Sequence, residues 1–279
     1  VLEDTSRDVT ADLARDVVGW RLLMPVKGGP TAKSRLGDVV RHLPGLPEAI
    51  ALDSVEAALA CPRVVSVHVI CADVGRGERL AALGARVVRE SAPGSGLLAA
   101  LDEGLAALRT EDDKDHDDDD DGGSGQRDGA PVAVLLADVP SLLPADLATA
   151  LDEARGVLDA GGTAVVPDAD GTGTVLLAGR LRGPETSLLR PRFGPGSALA
   201  HRRDGAVPVG MGLARLRRDV DTPAELEQAR ELGLGPRTAQ ILDAQTRDAQ
   251  DRGGAQTRAG SSSRTACAPS AASFSAKCS

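Results

Sequence analysis

Residues Pro131–Pro144 read PVAVLLADVPSLLP, an apolar run that stops on an acid, Asp138. An unbroken series of Val, Ala and Leu ended by a turn signal is the pattern of a strand buried on both faces, as inside parallel sheets. Asp138 then stands at the strand's carboxyl end. In open α/β sheets ligands sit in the crevice outside those ends, so the rest of the chain is read around this acid.

Upstream, GWRLLMPVK reads as a first strand. The loop KGGPTAKSRL, Lys27 to Leu36, follows with two lysines and an arginine. Strand, glycine loop and helix in succession bring backbone N–H groups and a helix N-terminus to a phosphate. The loop is not a Walker A sequence, because Lys27 and Ala32 stand where that motif needs glycine. Leu46–Ala60 has helical spacing and VVSVHVIC, Val64–Cys71, reads as a strand. A helix over Arg76–Leu83 and a short strand over Ala85–Val88 come next, and the loop SAPGSG opens a helix from Leu97 to about Leu108. Downstream the pattern predicts a helix over Pro144–Ala160, a strand TAVVP, the polar turn DADGTGT at Asp168–Thr174 and a strand VLLAG. In PRFGPGSALAHR, Pro191–Arg202, Ser197 is placed to cap a helix. LARLRRDVDTPAELEQARELG puts Asp219 and Asp221 at a strand end, with Thr222 capping a helix that begins at Pro223. The alternation argues for βαβ units: an α/β domain with a mainly parallel central sheet and helices on both faces.

Length and composition agree with one large domain. The chain has 279 residues, 42% hydrophobic and 26% charged, and its only aromatic residues are Trp20, Phe193 and Phe274, so the core must be Leu, Val and Ala. No run approaches the roughly 18 apolar residues that span a bilayer, and VLEDTSRDVTADLARD lacks the layout of a signal peptide. The expectation is a cytoplasmic protein with no membrane partner. Cys61, Cys71, Cys267 and Cys278 show neither metal-ligand spacing nor a disulfide framework. The net charge of -9 is concentrated in Glu111–Asp128, which holds ten acids against Lys114 and Arg127. The nearly neutral remainder offers no basic face for nucleic acid. These patterns divide the chain into a flexible lead-in (1–18), a catalytic domain (19–235) interrupted by an acidic disordered insert (111–129), and a disordered tail (236–279).

Handling a polyphosphate without a Walker loop takes an anion cradle, a divalent cation and acids to hold it. Lys27–Arg35 is the candidate cradle. Asp138 with Asp219 or Asp221 could hold Mg²⁺, which takes one or two carboxylates and keeps several waters. DADGTGT reads as a turn able to hold an anion by N–H and hydroxyl groups, or as a plain hairpin turn; Asp138 reads also as a cap of the next helix. His42, His68, His116 and His201 have no metal spacing, no GxSxG elbow accompanies them, and His201 is weighed as a packed structural residue.

On five motifs in order, MPVKGGPTAKSRL, LLADVPSL, DADGTGT, RFGPGSALAH and DVDTPAEL, the chain resembles the 2-phospho-L-lactate and phosphoenolpyruvate guanylyltransferase family of coenzyme F-420 biosynthesis. They span Leu22 to about Leu234. The resemblance implies a Rossmann-like nucleotidyltransferase fold of GT-A type, and a reaction in which GTP gives GMP to a phosphate oxygen and releases pyrophosphate. It implies Asp138 and Asp221 as Mg²⁺ ligands, with Asp219 the fallback for the second. Thr174, Gly194 and Ser197 would hold the phosphorylated three-carbon acid. Lys27 and Lys33 would face the GTP phosphates and share catalysis with Asp138, while Gly28, Ser34 and Arg35 complete the nucleotide loop. Expected partners are GTP, phosphoenolpyruvate or 2-phospho-L-lactate, and a downstream transferase of the pathway. The Ala-, Arg- and Gly-rich composition looks like that of a high-GC bacterium, where phosphoenolpyruvate is the expected acceptor. The chain departs from the family at GLLAAL, with Leu98 where Asn is usual, which leaves guanine selectivity less well specified than phosphate handling. Rival readings are a molybdopterin or sugar-phosphate nucleotidyltransferase, although the LxAGGxSxRMGxDK loop is absent, a GT-A glycosyltransferase, and a non-catalytic module that recruits a partner through the insert and tail.

Overall fold

A computed structural model describes residues 19–26, 36–116, 129–181 and 189–247. The run that ends at Asp138 forms strand β4 (Pro131–Leu135), with every residue buried. It belongs to a seven-stranded sheet with β1 (Trp20–Pro25), β2 (Val64–Cys71), β3 (Arg86–Arg89), β5 (Ala164–Pro167), β6 (Thr174–Arg180) and β7 (Val207–Pro208), in the order β3-β2-β1-β4-β6-β5-β7. β1 pairs in parallel with β2 and β4, β2 with β3, and β5 with β7. β6 alone runs antiparallel to both neighbours, β4 and β5. The chain passes from β1 outwards to β3 and returns to β4 on the other side of β1. The switch point of the topology is therefore the β1/β4 boundary, the position at which such sheets bind ligands.

Strand residues alternate between two apolar cores. Leu22, Met24, Ala133, Leu135, Ala164, Val166, Leu176 and Ala178 face one side, with Ala51, Val55 and Ala58 of helix α2 (Leu46–Leu59), Leu80 of α3 (Val74–Ala82) and Leu147, Leu151 and Leu158 of α5 (Pro144–Asp159). Leu23, Ile70, Val132, Val134, Val165 and Leu177 face the other, with Leu101, Leu105 and Leu108 of α4 (Leu97–His116). Covering both faces explains why the strands read as continuous apolar runs instead of alternating ones. The remaining helices are α1 (Asp38–His42), α6 (Ser197–Arg203), α7 (Ala214–Arg217) and α8 (Pro223–Leu232). No described helix is long and apolar enough to cross a membrane.

The structure differs from the sequence reading at the ends of elements. Helix α4 runs on to His116 and takes in residues 111–116 of the expected insert. Extending a formed helix adds one backbone bond per residue fixed, without needing an apolar face. Apolar spacing ends at Leu108, so that extension has no sequence signal. The lead-in 1–18, insert residues 117–128 and tail residues 248–279 lie outside the described residues. The chain divides into two compact units, Val1–Ile241 and Leu242–Ser279.

Residues 236–241, assigned to a disordered tail, are instead helical. The cause is Asp53 of α2, whose carboxylate accepts the backbone N–H groups of Arg237 (3.1 Å) and Thr238 (2.8 Å). These are first-turn donors that a helix normally satisfies through its own N-cap side chain. Here the cap comes from elsewhere in the chain, which no local spacing reveals. Asp53 is only 5% exposed and also pairs with the Arg237 guanidinium. Gly235 makes the approach feasible, because a Cβ there would lie 2.5 Å from the Asp53 carboxyl carbon. Replacing Asp53 with Ala is expected to destabilise the protein by about 2 kcal/mol through lost capping and two stranded donors. A guanidinium unfolding midpoint unchanged from the parent would show that the carboxylate does not hold this helix.

Candidate active site

Asp138 follows β4 at the switch point and is half-buried. Its segment is held from several directions by neutral hydrogen bonds. Val139 N–H donates to Ser54 Oγ of α2 (3.2 Å), Ser141 Oγ donates to the Ala229 carbonyl of α8 (2.9 Å), and Gly235 N–H donates to the Pro140 carbonyl (2.7 Å). Helix α5 starts later, with Leu143 at its N-cap, so Asp138 is not a helix cap.

Val220 N–H donates to the Asp138 carbonyl at 2.9 Å. Asp219 and Asp221 flank Val220, so both acids of the last motif are carried to the carboxyl end of β4. They lie between α7 and α8, not at a strand end as the pattern suggested. Asp221 is fixed by the start of α8. Thr222 caps that helix by accepting Glu225 N–H, and Glu225 in return accepts the N–H groups of Asp221 and Thr222, both at 2.7 Å. The cap at Thr222 is the one expected from the sequence, and Glu225 completes it as a capping box.

Among the described residues no three His, Cys, Asp or Glu side chains gather into a metal-binding group. A cation caged by protein ligands alone does not fit that set. A Mg²⁺ taking one or two carboxylates, waters and substrate phosphate oxygens does fit Asp138 with Asp221 or Asp219. Lys27, Gly28, Lys33, Ser34 and Arg35 lie outside the described residues.

The turn Asp168–Thr174 joins β5 to β6 as a hairpin at the same end of the sheet. The backbone N–H groups of Asp168, Ala169, Gly171, Thr172 and Gly173 are engaged within the protein, which favours the plain hairpin-turn reading over backbone capture of an anion. Asp168 Oδ1 accepts Thr172 N–H (2.8 Å), Asp168 Oδ2 accepts Gly173 N–H (2.6 Å), and the Asp168 carbonyl accepts Gly171 N–H (3.1 Å). Arg217 clamps the turn from outside, donating to the carbonyls of Pro167, Asp168 and Met211. The Arg217 role was not visible in the sequence, because it depends on carbonyls at the end of β5, far away in the chain.

Thr174 opens β6 and is buried with Ser197 and His201 of α6. Ser197 is not the helix cap expected of it. Gly196, at φ 75°, holds the N-cap, and Ser197 Oγ lies 3.1 Å from Thr174 Oγ1. His201 Nδ1 lies 3.0 Å from that same oxygen, while its Nε2 accepts Arg192 N–H at 2.8 Å. Gly194, at φ 136°, is an exposed turn residue whose carbonyl accepts Ser197 N–H. Thr174, Gly194 and Ser197 are thus brought together as expected. His201 joins them and does more than pack.

Burial pushes the His201 imidazole below its ordinary pKa, with Asp204 opposing and Arg192 adding to the shift. Burial likewise raises the thiols of Cys61 and Cys71, which keeps them protonated and inert. Leu98 is 45% exposed at the start of α4, so the departure from the family falls on a surface position.

Known proteins resemble this chain closely. Phosphoenolpyruvate guanylyltransferase of Streptomyces coelicolor is 43% identical over 225 residues, covering 80% of this chain and 95% of the relative. The enzyme of the same name from Salinispora arenicola is 42% identical over 224 residues, covering 79% and 92%. Among solved structures, a nucleotidyl transferase from Methanothermobacter thermautotroptrophicus superposes with a TM-score of 0.51 at 18% identity, covering 76% of this chain and 96% of that one, a likeness of fold. No family model matches the chain.

The lowered His201 pKa has a consequence for stability. Above the ordinary histidine value of about 6.5, folded and unfolded states both carry a neutral ring. As pH falls through that value towards the lower folded one, the unfolded state binds a proton that the folded state refuses, and stability is lost. Denaturant midpoints between pH 7.5 and 5.5 should fall more steeply for the parent than for His201→Asn. Equal slopes would mean that His201 titrates normally in the folded protein.

Proposed function

The chain belongs to the phosphoenolpyruvate guanylyltransferase family, and on that premise we propose that it transfers GMP from GTP to the phosphate of phosphoenolpyruvate, releasing pyrophosphate. The observation that carries this reading is the Val220–Asp138 bond, which sets the acids of two separate motifs side by side at the switch point. The names of the relatives favour phosphoenolpyruvate over 2-phospho-L-lactate as acceptor.

The acceptor phosphate has a second pKa near 6 and is an anionic nucleophile at neutral pH. One of its oxygens bonds to the α-phosphorus of GTP as the bond from that phosphorus to the β-phosphate bridge oxygen breaks, and pyrophosphate leaves with the electron pair. No Ser, Cys or His nucleophile is needed. The work of the protein is to align two anions and to neutralise charge as it moves. Thr174 and Ser197 give hydroxyl contacts to the acceptor, and Gly194 shapes the turn that admits it. The family resemblance implies that Lys27, Lys33 and Arg35 of the glycine loop would meet the triphosphate, with the backbone of Gly28 and the hydroxyl of Ser34. Asp138 and Asp221, or Asp219 in its place, are the carboxylates that would hold Mg²⁺. That ion would supply charge neutralisation and orientation of the phosphates.

Pyrophosphate release from GTP and Mg²⁺ tests the reaction with each acceptor in turn, and release with phosphoenolpyruvate is the expected result. Release with 2-phospho-L-lactate alone would move the acceptor assignment, and release with neither would refute it. In the same assay Asp138→Asn should lower turnover at least about a hundredfold, comparable to losing one preorganised electrostatic contact, with the melting temperature unchanged. Near-parental turnover in the folded variant would remove Asp138 from the site.

A further inference from the structure

We propose that His201 is a positioning residue that donates to Thr174 Oγ1, so that one proton of the Thr174–Ser197 hydroxyl pair is left to donate to the anionic acceptor. The proposal rests on the reading of Thr174 and Ser197 as the acceptor subsite.

The argument is a count of protons. His201 Nε2 faces the backbone N–H of Arg192 at 2.8 Å, and a backbone amide can only donate. Nε2 is therefore the acceptor and the ring proton sits on Nδ1. Nδ1 in turn lies 3.0 Å from Thr174 Oγ1, so His201 donates to that oxygen. Ser197 Oγ is 3.1 Å from the same atom. Three donor protons, those of His201 Nδ1, Thr174 and Ser197, then meet only two contacts. If Ser197 donates to Thr174, the Thr174 proton remains. If Thr174 donates to Ser197, the Ser197 proton remains. Either order leaves one donor, and no further hydrogen bond to either hydroxyl occurs among the described residues. Both residues are at most 4% exposed, so water does not satisfy that donor freely.

A buried hydroxyl pair with a proton to give selects for an acceptor-rich, negatively charged group, such as a carboxylate or phosphate. Were the ring proton on Nε2, it would oppose Arg192 N–H, and Nδ1 would accept from Thr174. The hydroxyl pair could then present a lone pair to the ligand and repel an anion. The ring is held in this orientation by Arg192 on one side and by an edge contact with Phe193, with centroids 5.6 Å apart. All of these parts belong to Arg192–His201 and the first residue of β6.

Two substitutions separate positioning from packing. Asn can place its amide where Nδ1 sits and keep the donor to Thr174, whereas Gln extends towards the Nε2 position and loses it. Both forfeit part of the ring contact, so both are expected to melt lower than the parent. Steady-state pyrophosphate release with the full chain, GTP and Mg²⁺ should show His201→Gln raising KM for phosphoenolpyruvate about tenfold, the scale of a hydrogen bond to a charged group. KM for GTP should stay within about twofold, and His201→Asn should keep KM for phosphoenolpyruvate within about threefold of the parent. Thr174→Val is the control for the subsite. If it leaves KM for phosphoenolpyruvate unchanged, the acceptor subsite lies elsewhere and the proposal falls with it. If Thr174→Val raises that KM while His201→Gln does not, or if Asn and Gln behave alike, the subsite stands and the positioning role is overturned.

Discussion

The hydrogen bond from Val220 N–H to the Asp138 carbonyl joins two parts of the chain that nothing in their local sequence would bring together. Its importance is electrostatic as well as topological. Bringing together segments that carry Asp138, Asp219 and Asp221 is unfavourable for like charges. The bonds that accomplish it are neutral: a main-chain bond at Val220, a serine hydroxyl under Val139, and a main-chain bond from Gly235 to Pro140. Interactions of this kind do not depend on ionic strength or on the charge state of the carboxylates. The approach of these two segments is therefore set by groups that are indifferent to what the acids bind.

The reversed strand β6 makes the second half of the site. Strands β1 to β4 are all parallel, so their carboxyl ends lie on one side and their following loops can reach a ligand there. A further parallel strand in the place of β6 would have to begin at the far end of the sheet, and its first residue would be remote from Asp138. Because β6 is antiparallel to β4, its first residue, Thr174, lies at the near end. The hairpin turn that achieves this is closed by Asp168 on its own backbone and by Arg217 on the flanking carbonyls. The turn thus acts as a scaffold whose rigidity positions Thr174.

Much of this was legible in the sequence. The apolar run ending at Asp138 gave the central strand, since a strand covered on both faces dispenses with alternation. Thr222 before Pro223 gave the start of α8, because both the cap and the first helical position are written in residue type. What escaped notice is uniformly non-local. Asp53 caps the helix at 236, His201 reads the Arg192 amide, and Arg217 holds carbonyls of the β5 end. In each case the side chain's partner is a backbone group fixed by the fold, and a backbone group leaves no signature in residue type. Ser197 illustrates the converse. Its place after Gly-Pro-Gly suits an N-cap, but Gly196 at positive φ takes that position at no steric cost and frees the serine hydroxyl for Thr174.

The two halves of the site differ in how they meet charge. On the proposed reading, Asp138 with Asp221 or Asp219 would meet a polyphosphate only through a bridging cation. The other half consists of Thr174, Ser197 and a histidine kept neutral by burial and by the Arg192 amide. A cationic imidazole there would attract an anion more strongly, yet it would need an acceptor for its second proton, and Arg192 N–H occupies that place. Neutral donors bind more weakly but also hold an anionic nucleophile without drawing away its electron density. For an oxygen that must attack phosphorus, that restraint is useful, since a full positive charge close to it would stabilise the reactant more than the transition state. Nearby guanidinium groups are engaged elsewhere: Arg217 binds carbonyl oxygens and Arg192 pairs with Asp204 through its side chain.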